Sequence, residues 1–345
     1  MTIISISGYD LNEVIIIEPT TENADEFKHA FPTPCSVRDV LTLYLDIQGP
    51  IKQSVLKHLV PYTTDSKQLE WLKHIINTPS LIKQMIEENG TSLFELLTNE
   101  LSSCKLPLVD LLHIVPYIQP RYYTISSSSS CHPDIVHITI SITEYKLKNG
   151  KAFIGLTSGY LKSLQPHSNN SKVRVFVRTS SFRLPKSIDT PIIMIGPGTG
   201  LAPMRALLQE RGYLKKNIHD GACGKNILFF GCKNESIDFI YREELESFEK
   251  DEVLHHFYKA FSRDSNTKEY VQHIMAKPDI SIQLMQWIDE GAYVYVCGAT
   301  AMGADVMTTM QSIVQKHKNI NPMKAVAYVK ELQEYGRYIQ ELWTA

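Results

Sequence analysis

Residues 191–203, Pro-Ile-Ile-Met-Ile-Gly-Pro-Gly-Thr-Gly-Leu-Ala-Pro, constrain the fold of this chain more than any other stretch. A short, wholly apolar run is the pattern of a strand buried on both faces of a parallel sheet. It breaks into a loop with glycine at every second position, Gly196, Gly198 and Gly200, and then enters the helix-like segment Met204–Arg211. Glycine admits positive φ and removes side chains that would hold a bound group away. The helix that follows offers unpaired N–H groups and a positive dipole end. A tight strand-to-helix turn with no ligand uses the same residues, so the loop alone does not decide between the two readings.

Texture along the chain divides it further. Val37, Val40, Leu41, Tyr44 and Leu45, then Leu69, Leu72, Ile75 and Ile76, then Leu93, Leu96, Leu97 and Leu101 recur at three- and four-residue steps. That spacing predicts helices across residues 36–118. Residues 121–185 read as strands instead: 137–145 and 173–178 alternate apolar and polar, and Lys148-Asn-Gly150 supplies a turn. From residue 190 onward, apolar strands at 192–195, 226–231, 253–261 and 292–297 alternate with helical stretches, as in βαβ units. The boundary is expected near 185–190, giving domains at 1–187 and 188–345. The serine run Ser126–Ser130 has flanks that argue against a disordered linker.

Composition removes several function classes. The 345 residues carry 35 Lys and Arg against 37 Asp and Glu, a net charge of −2, which gives no support for nucleic-acid binding. No window has the ~20 apolar residues that span a bilayer, and the first residues lack the basic region of a signal peptide. The six cysteines, Cys35, Cys104, Cys131, Cys223, Cys232 and Cys297, form no paired spacing. No metal site or disulfide framework is expected, and a reducing compartment fits.

Several short motifs carry candidate chemistry. In Arg121-Tyr-Tyr123-Thr124, an arginine can pair with phosphate, a tyrosine can stack on a flat ring and a hydroxyl can reach a ring nitrogen. Gly155-Leu156-Thr157-Ser158 before a helical pattern makes a second anion-binding turn, although a plain helix cap explains it nearly as well. Ser262, Arg263, Lys268 and Tyr270 gather two cations, a hydroxyl and a phenol after a strand end, a pocket suited to a phosphomonoester dianion. The alternative there is a solvated charged loop.

The order of these motifs, with Phe182-Arg-Leu-Pro185, Phe230-Gly-Cys232, Tyr241-Arg-Glu-Glu-Leu245, Ala260-Phe-Ser-Arg263, Tyr270-Val-Gln272, Tyr295-Val-Cys-Gly298 and Glu341-Leu-Trp343, resembles the diflavin reductases, and among them the cytochrome P450 reductases. The resemblance runs from about residue 32 to the C-terminus. It implies a ferredoxin-NADP⁺-reductase-like fold. An antiparallel FAD-binding β-barrel would carry a helical connecting insert at about 36–118, and a parallel-sheet α/β NADP-binding domain would follow. It implies hydride transfer from NADPH to FAD and single-electron transfer onward to an FMN domain and a haem protein such as cytochrome P450. The acceptors of sulfite reductase, methionine synthase reductase or the iron–sulfur assembly reductase, and an inactive NADP-binding fragment, are the alternatives.

Carried onto this chain, the resemblance implies that Arg121, Tyr123 and Thr124 hold FAD and that Gly155, Leu156, Thr157 and Ser158 cradle its pyrophosphate. Gly198, Thr199 and Gly200 would face the NADPH pyrophosphate. Ser262, Arg263, Lys268 and Tyr270 would bind the 2′-phosphate, with Gln272 beside them. Trp343 would cover the flavin, and Thr124, Cys297 and Glu341 would stand at the hydride-transfer centre. Four positions depart from the family pattern: Glu341 stands for an aspartate, Thr124 for a serine, Gly298-Ala299-Thr300 for Gly-Asp-Ala, and Lys233 for an arginine. The family places an FMN domain and further barrel strands ahead of this point. The barrel is therefore expected to be N-terminally incomplete, with residues 1–30 reading as the loop before the helical insert. Location is expected to be cytoplasmic, or the cytosolic face of the endoplasmic reticulum if an N-terminal anchor lies outside this chain.

Overall fold

The computed structural model describes residues 10–18, 31–166, 168, 171–218 and 223–344, so most of the loop expected before the helical insert lies outside the described residues. The chain forms two compact units. One comprises Met1–Arg121 and Ile142–Ser171, the other Tyr122–Ser141 and Lys172–Ala345.

The first unit is mainly helical, and its helices start where the sequence supplies caps. Ser36 accepts from the Asp39 N–H at 3.1 Å, and Asp65 accepts from the Gln68 N–H at 2.9 Å to open the helix Ser66–Ile76. Ser92 and Glu95 form a reciprocal capping box that satisfies two donors at one helix start. The periodic residues then meet in one core: Val37, Val40, Leu72, Leu93, Leu96, Leu97 and Leu101 are all buried in it. Two short antiparallel pairs complete the unit. β1 (Val14–Ile15) pairs with β2 (Cys35–Ser36), and β3 (Glu144–Lys146) pairs with β4 (Ala152–Ile154). The predicted turn at 148–150 joins β3 to β4, with Gly150 at φ +82° supplying the left-handed residue.

The second unit is a parallel sheet between two helical layers. Its strands are β5 (Ile192–Ile195), β6 (Asn226–Cys232), β7 (His256–Phe261), β8 (Tyr293–Ala299) and β9 (Tyr338–Trp343), ordered β7-β6-β5-β8-β9 and parallel throughout. Side chains alternate between its faces. Ile193, Ile195, Ile227, Phe229, Val294 and Val296 pack on one side against the helices Val271–Met275, Pro278–Asp289, Thr300–Lys318 and Pro322–Glu334. Ile192, Met194, Leu228, Phe230, Tyr295 and Cys297 pack on the other, against the helices Leu201–Asn217 and Arg242–Lys250. Two-sided burial is why β5 reads as an unbroken apolar run. At the N-terminal side of β5 and β6 the buried Arg211 guanidinium donates to the Thr190 carbonyl, the Gly224 carbonyl and Asn226 Oδ1 at 2.6, 3.1 and 2.9 Å.

One strand expectation is met in part and another is not met. The 137–145 segment makes an isolated bridge at Ile138, paired with Ile125, and enters β3 only at Glu144. Residues 173–178 join no ladder among the described residues, and Phe176 is 64% exposed. Alternation makes a segment two-faced, but a strand exists only where a partner accepts its hydrogen bonds.

Candidate functional site

Sheet order locates the site. Strands β5 and β8 are neighbours, and the chain runs outward from them in opposite directions, β6 and β7 to one side and β9 to the other. At such a reversal the loops leaving the carboxyl ends of the two central strands diverge and open a crevice. The Gly196–Gly200 loop leaves β5 there, and Cys297, Gly298 and Ala299 end β8 at the same place.

The three glycines do different work. A Cβ on Gly200 would lie 2.1 Å from the Cys297 carbonyl oxygen, so this glycine lets the loop press against the end of β8. A Cβ on Gly196 would meet the Gly200 carbonyl at 2.5 Å, so Gly196 permits the tight turn itself. Gly198 has φ +58° and nothing within 4 Å of where a Cβ would stand. It is the one glycine of the three that leaves its side open to a ligand. The 17-residue helix Leu201–Asn217 begins at once, with its positive dipole end at the loop. This open cradle at a helix start fits a dinucleotide pyrophosphate.

Thr124 reaches this region because the segment that carries it is stitched to that helix. Arg205 donates to the Ser126 carbonyl at 2.6 Å, pairs with Glu244 at 2.5 Å and lies 4.5 Å over the Tyr241 ring. Gln209 Oε1 accepts from the Ser128 N–H at 3.0 Å, and Glu210 accepts from Ser128 and Ser130. Ser126, Ser127 and Ser128 are thus buried in a seam, as the flanks of the run imply, while Ser129 is exposed. With the seam fixed, Thr124 Oγ1 donates to Glu341 Oε2 at 3.2 Å.

Glu341 in turn sits in register with Cys297 across the β8–β9 pair. Cys297 is 1% exposed, and burial, then the Glu341 carboxylate, push its thiol up to about 12. Near neutral pH it is an uncharged S–H group. The Glu341 carboxylate also accepts from Ser180 at 2.5 Å and from Ser181 at 3.4 Å, two partners that sequence reasoning missed. Two residues on, Trp343 is in register with Ala299 and 39% exposed, and its carbonyl accepts from Thr300 Oγ1 at 3.0 Å. The structure therefore brings Thr124, Cys297 and Glu341 together, with Trp343 on the same strand end. Tyr123, on the segment with Thr124, is half-buried.

At the carboxyl end of β7, Ser262 and Arg263 fold back on the loop after β6: their N–H groups donate to the Cys232 and Lys233 carbonyls at 3.0 and 2.8 Å. Arg263 and Lys268 are exposed and join no salt bridge among the described residues. Tyr270 is 41% exposed. Gln272 donates to Asp305 at 3.2 Å, while its buried Oε1 has no hydrogen-bond partner. Two exposed cations and a phenol within this stretch have the chemistry to take a phosphate dianion.

In the first unit, Gly155 precedes the helix Leu156–Ser163. Ser158 is buried and committed locally: its Oγ accepts from the Thr143 N–H at 3.2 Å and donates to the Gly155 carbonyl at 3.5 Å. A Cβ on Gly155 would lie 2.7 Å from that Oγ, so the glycine serves this packing first. Leu156 is exposed and Thr157 half-buried, at the start of an eight-residue helix whose N–H groups suit an anion. Arg121 is exposed, and its guanidinium donates to the Gln119 carbonyl.

Comparison with known proteins finds two family matches. Residues 1–160 match the FAD binding domain family, and residues 194–308 match the oxidoreductase NAD-binding domain family. The chain is 36% identical to an NADPH–cytochrome P450 reductase of Homo sapiens over 98% of this chain and 50% of the relative. It is 37% identical to that of Drosophila melanogaster over 97% and 49%, and 37% identical to that of Oryctolagus cuniculus over 98% and 50%. The chain carries an FAD binding domain followed by an oxidoreductase NAD-binding domain. The two domains make a ferredoxin-NADP⁺-reductase-like fold, and the chain spans about half the length of the relatives it matches. The parallel sheet is the NADP-binding part. The antiparallel part is represented among the described residues by the β1–β2 and β3–β4 pairs and the Ile125–Ile138 bridge. No helix of the described residues is long and apolar enough to cross a membrane, and no group of three or more His, Cys, Asp or Glu among them is placed to hold a metal.

Proposed function

We propose that this chain takes hydride from NADPH onto FAD and passes electrons singly to an FMN domain and then to a haem protein such as cytochrome P450. The observation that carries the reading is the meeting of Thr124, Glu341 and Cys297 at the reversal of the sheet, beside the open face of Gly198.

When bound, FAD supplies the two-electron to one-electron conversion that no side chain can provide. The protein's part is to bind, to orient and to hold charge. In the second unit, Gly198, Thr199 and Gly200 would take the NADPH pyrophosphate, and Ser262, Arg263, Lys268, Tyr270 and Gln272 would surround the 2′-phosphate and so select NADPH over NADH. Trp343 and Tyr123 would offer flat faces to the rings, and the Thr124 hydroxyl would orient the flavin edge. Cys297, neutral and buried, would pack against the nicotinamide without adding charge, while the Glu341 carboxylate would favour the cationic nicotinamide as it forms. In the first unit, Arg121 and the turn Gly155, Leu156, Thr157 and Ser158 would bind FAD phosphates. The expected location is cytoplasmic, or the cytosolic face of the endoplasmic reticulum.

Flavin absorbance and ferricyanide reduction by the purified chain, with NADPH and NADH compared, test this reading. Bound FAD with NADPH-selective turnover is expected. A colourless, inactive protein that still binds NADP⁺ would favour a second reading, a non-catalytic NADP-binding module. What supports that alternative is the exposed 173–178 segment, which joins no strand ladder among the described residues and in which Val175, Phe176 and Val177 are largely exposed.

A further inference from the structure

Glu341 ends in a flexible side chain, and a carboxylate that supports charge at a reacting ring must be held in one direction. Three hydroxyls converge on it. Thr124 donates to Oε2, while Ser180 and Ser181 donate to Oε1, Ser180 at 2.5 Å and Ser181 at the longer 3.4 Å. The Ser180 hydroxyl has a defined polarity. Its oxygen accepts from the Phe182 N–H at 2.9 Å, which leaves its proton for the carboxylate.

The segment that carries Ser180 is itself anchored to β8, the strand that bears Cys297. Phe182 packs edge-on to Tyr295, with ring centroids 5.5 Å apart, and the Tyr295 hydroxyl donates to the Arg183 carbonyl at 2.6 Å. Tyr295 is fully buried, two residues before Cys297 on the same face of the sheet. Ser180 and Cys297 are thus referenced to one strand, and the carboxylate cannot swing without breaking its hydrogen bond from Ser180.

We propose that Ser180 is the positioning residue of the Glu341 carboxylate: with Thr124 it clamps the two oxygens from separate segments, and Ser181 assists. The extra methylene of glutamate at this position is what makes the second clamp necessary, because it adds one torsion that Thr124 alone does not fix. The proposal rests on the reading of Glu341 as the charge that faces the nicotinamide. It concerns where the carboxylate points and adds no chemical step.

The test uses the full chain with carboxyl-¹³C glutamate and Ser180→Ala, Ser180→Thr, Glu341→Gln and Glu341→Asp variants. Glu341→Gln assigns the Glu341 carboxylate resonance in flavin-free protein. Ser180→Ala should move that resonance toward the value of a solvated glutamate, and Ser180→Thr should restore it. If Ser180→Ala does not fold, Ser180→Cys, a poor donor that still fills the site, serves in its place. In flavin-loaded protein the limiting rate of flavin reduction by NADPH should fall about tenfold in Ser180→Ala, as for one lost charge-assisted hydrogen bond. Half-saturation should stay within about twofold, because the ground-state contacts are untouched. Ser180→Ala should add nothing in a Glu341→Asp background, where the shorter carboxylate no longer reaches Ser180. A resonance unmoved by Ser180→Ala overturns the positioning role whatever the kinetics show. A resonance that moves, together with a normal reduction rate in Glu341→Gln, overturns instead the reading of Glu341 beneath it.

Discussion

Cys297 and Glu341 stand side by side on adjacent parallel strands, and the carboxylate is one of the two reasons the thiol stays protonated. Burial is the other and the larger.

That pairing predicts a pH behaviour. The thiol titrates near its ordinary value of 9.0 when unfolded and at about 12 when folded, so the folded state holds its proton longer. The stabilisation is complete below about pH 9 and is lost progressively as pH rises toward 12. Chemical denaturation between pH 8 and 10.5 should show wild-type stability declining more steeply than that of Cys297→Ser. Alkylation of native Cys297 by iodoacetamide should be negligible at about pH 8 and should speed up in Glu341→Gln, which removes the nearby charge. Rapid alkylation of the native wild type at that pH would contradict this.

Arg263 and Lys268 are predicted to choose between nucleotides. Removing either by alanine should weaken NADPH binding by about 10- to 100-fold, the range for one charge-assisted phosphate contact, and should leave NADH binding within about twofold. Calorimetric titration of each variant with NADP⁺ and NAD⁺ measures this directly. Equal losses for both nucleotides would argue against a 2′-phosphate site.

Gly198 and Gly200 should respond differently to the same added methyl group. Gly200→Ala drives a Cβ into the Cys297 carbonyl, so it should cost about 1–3 kcal/mol or more of stability. Gly198→Ala has room but keeps φ +58°, a strain of roughly 1–2 kcal/mol for a residue with a Cβ. Its main effect should be on NADP⁺ affinity, because the methyl projects into the open cradle. Urea melts beside nucleotide titrations separate the two effects.

Thr300 is expected to fasten the end of β9. Thr300→Ala removes the donor to the Trp343 carbonyl, worth about 0.5–1.5 kcal/mol, and Thr300→Ser should retain it. Hydrogen exchange should show faster exchange confined to residues 340–344 in the alanine variant. Loss spread over the whole sheet would mean that the contact does not act locally.

Much of the fold was legible because it depends on local rules. The unbroken apolar run of β5 reflects burial on both faces, and most of the helix-period leucines of 36–118 meet in one core. The 173–178 segment was misread for a matching reason: alternation reports two faces and says nothing about whether a partner strand is present. Ser158 was legible as a helix-start residue, but its commitment to Thr143 was not, because that contact spans a loop.

By itself, then, the sequence determined the kind of chain this is: a glycine turn between strand and helix, βαβ alternation, and an ordered set of motifs shared with the diflavin reductases. Only the tertiary structure decided which hydroxyls hold Glu341. Thr124 and Ser180 lie 217 and 161 residues from it along the chain, and Ser180 belongs to no motif that chemistry singles out. Dihedral preference and periodicity are encoded within a few residues. The meeting of side chains from three distant segments follows from the order of parallel strands and from the seam that ties Ser126–Ser130 to the helix Leu201–Asn217, and no local pattern records either.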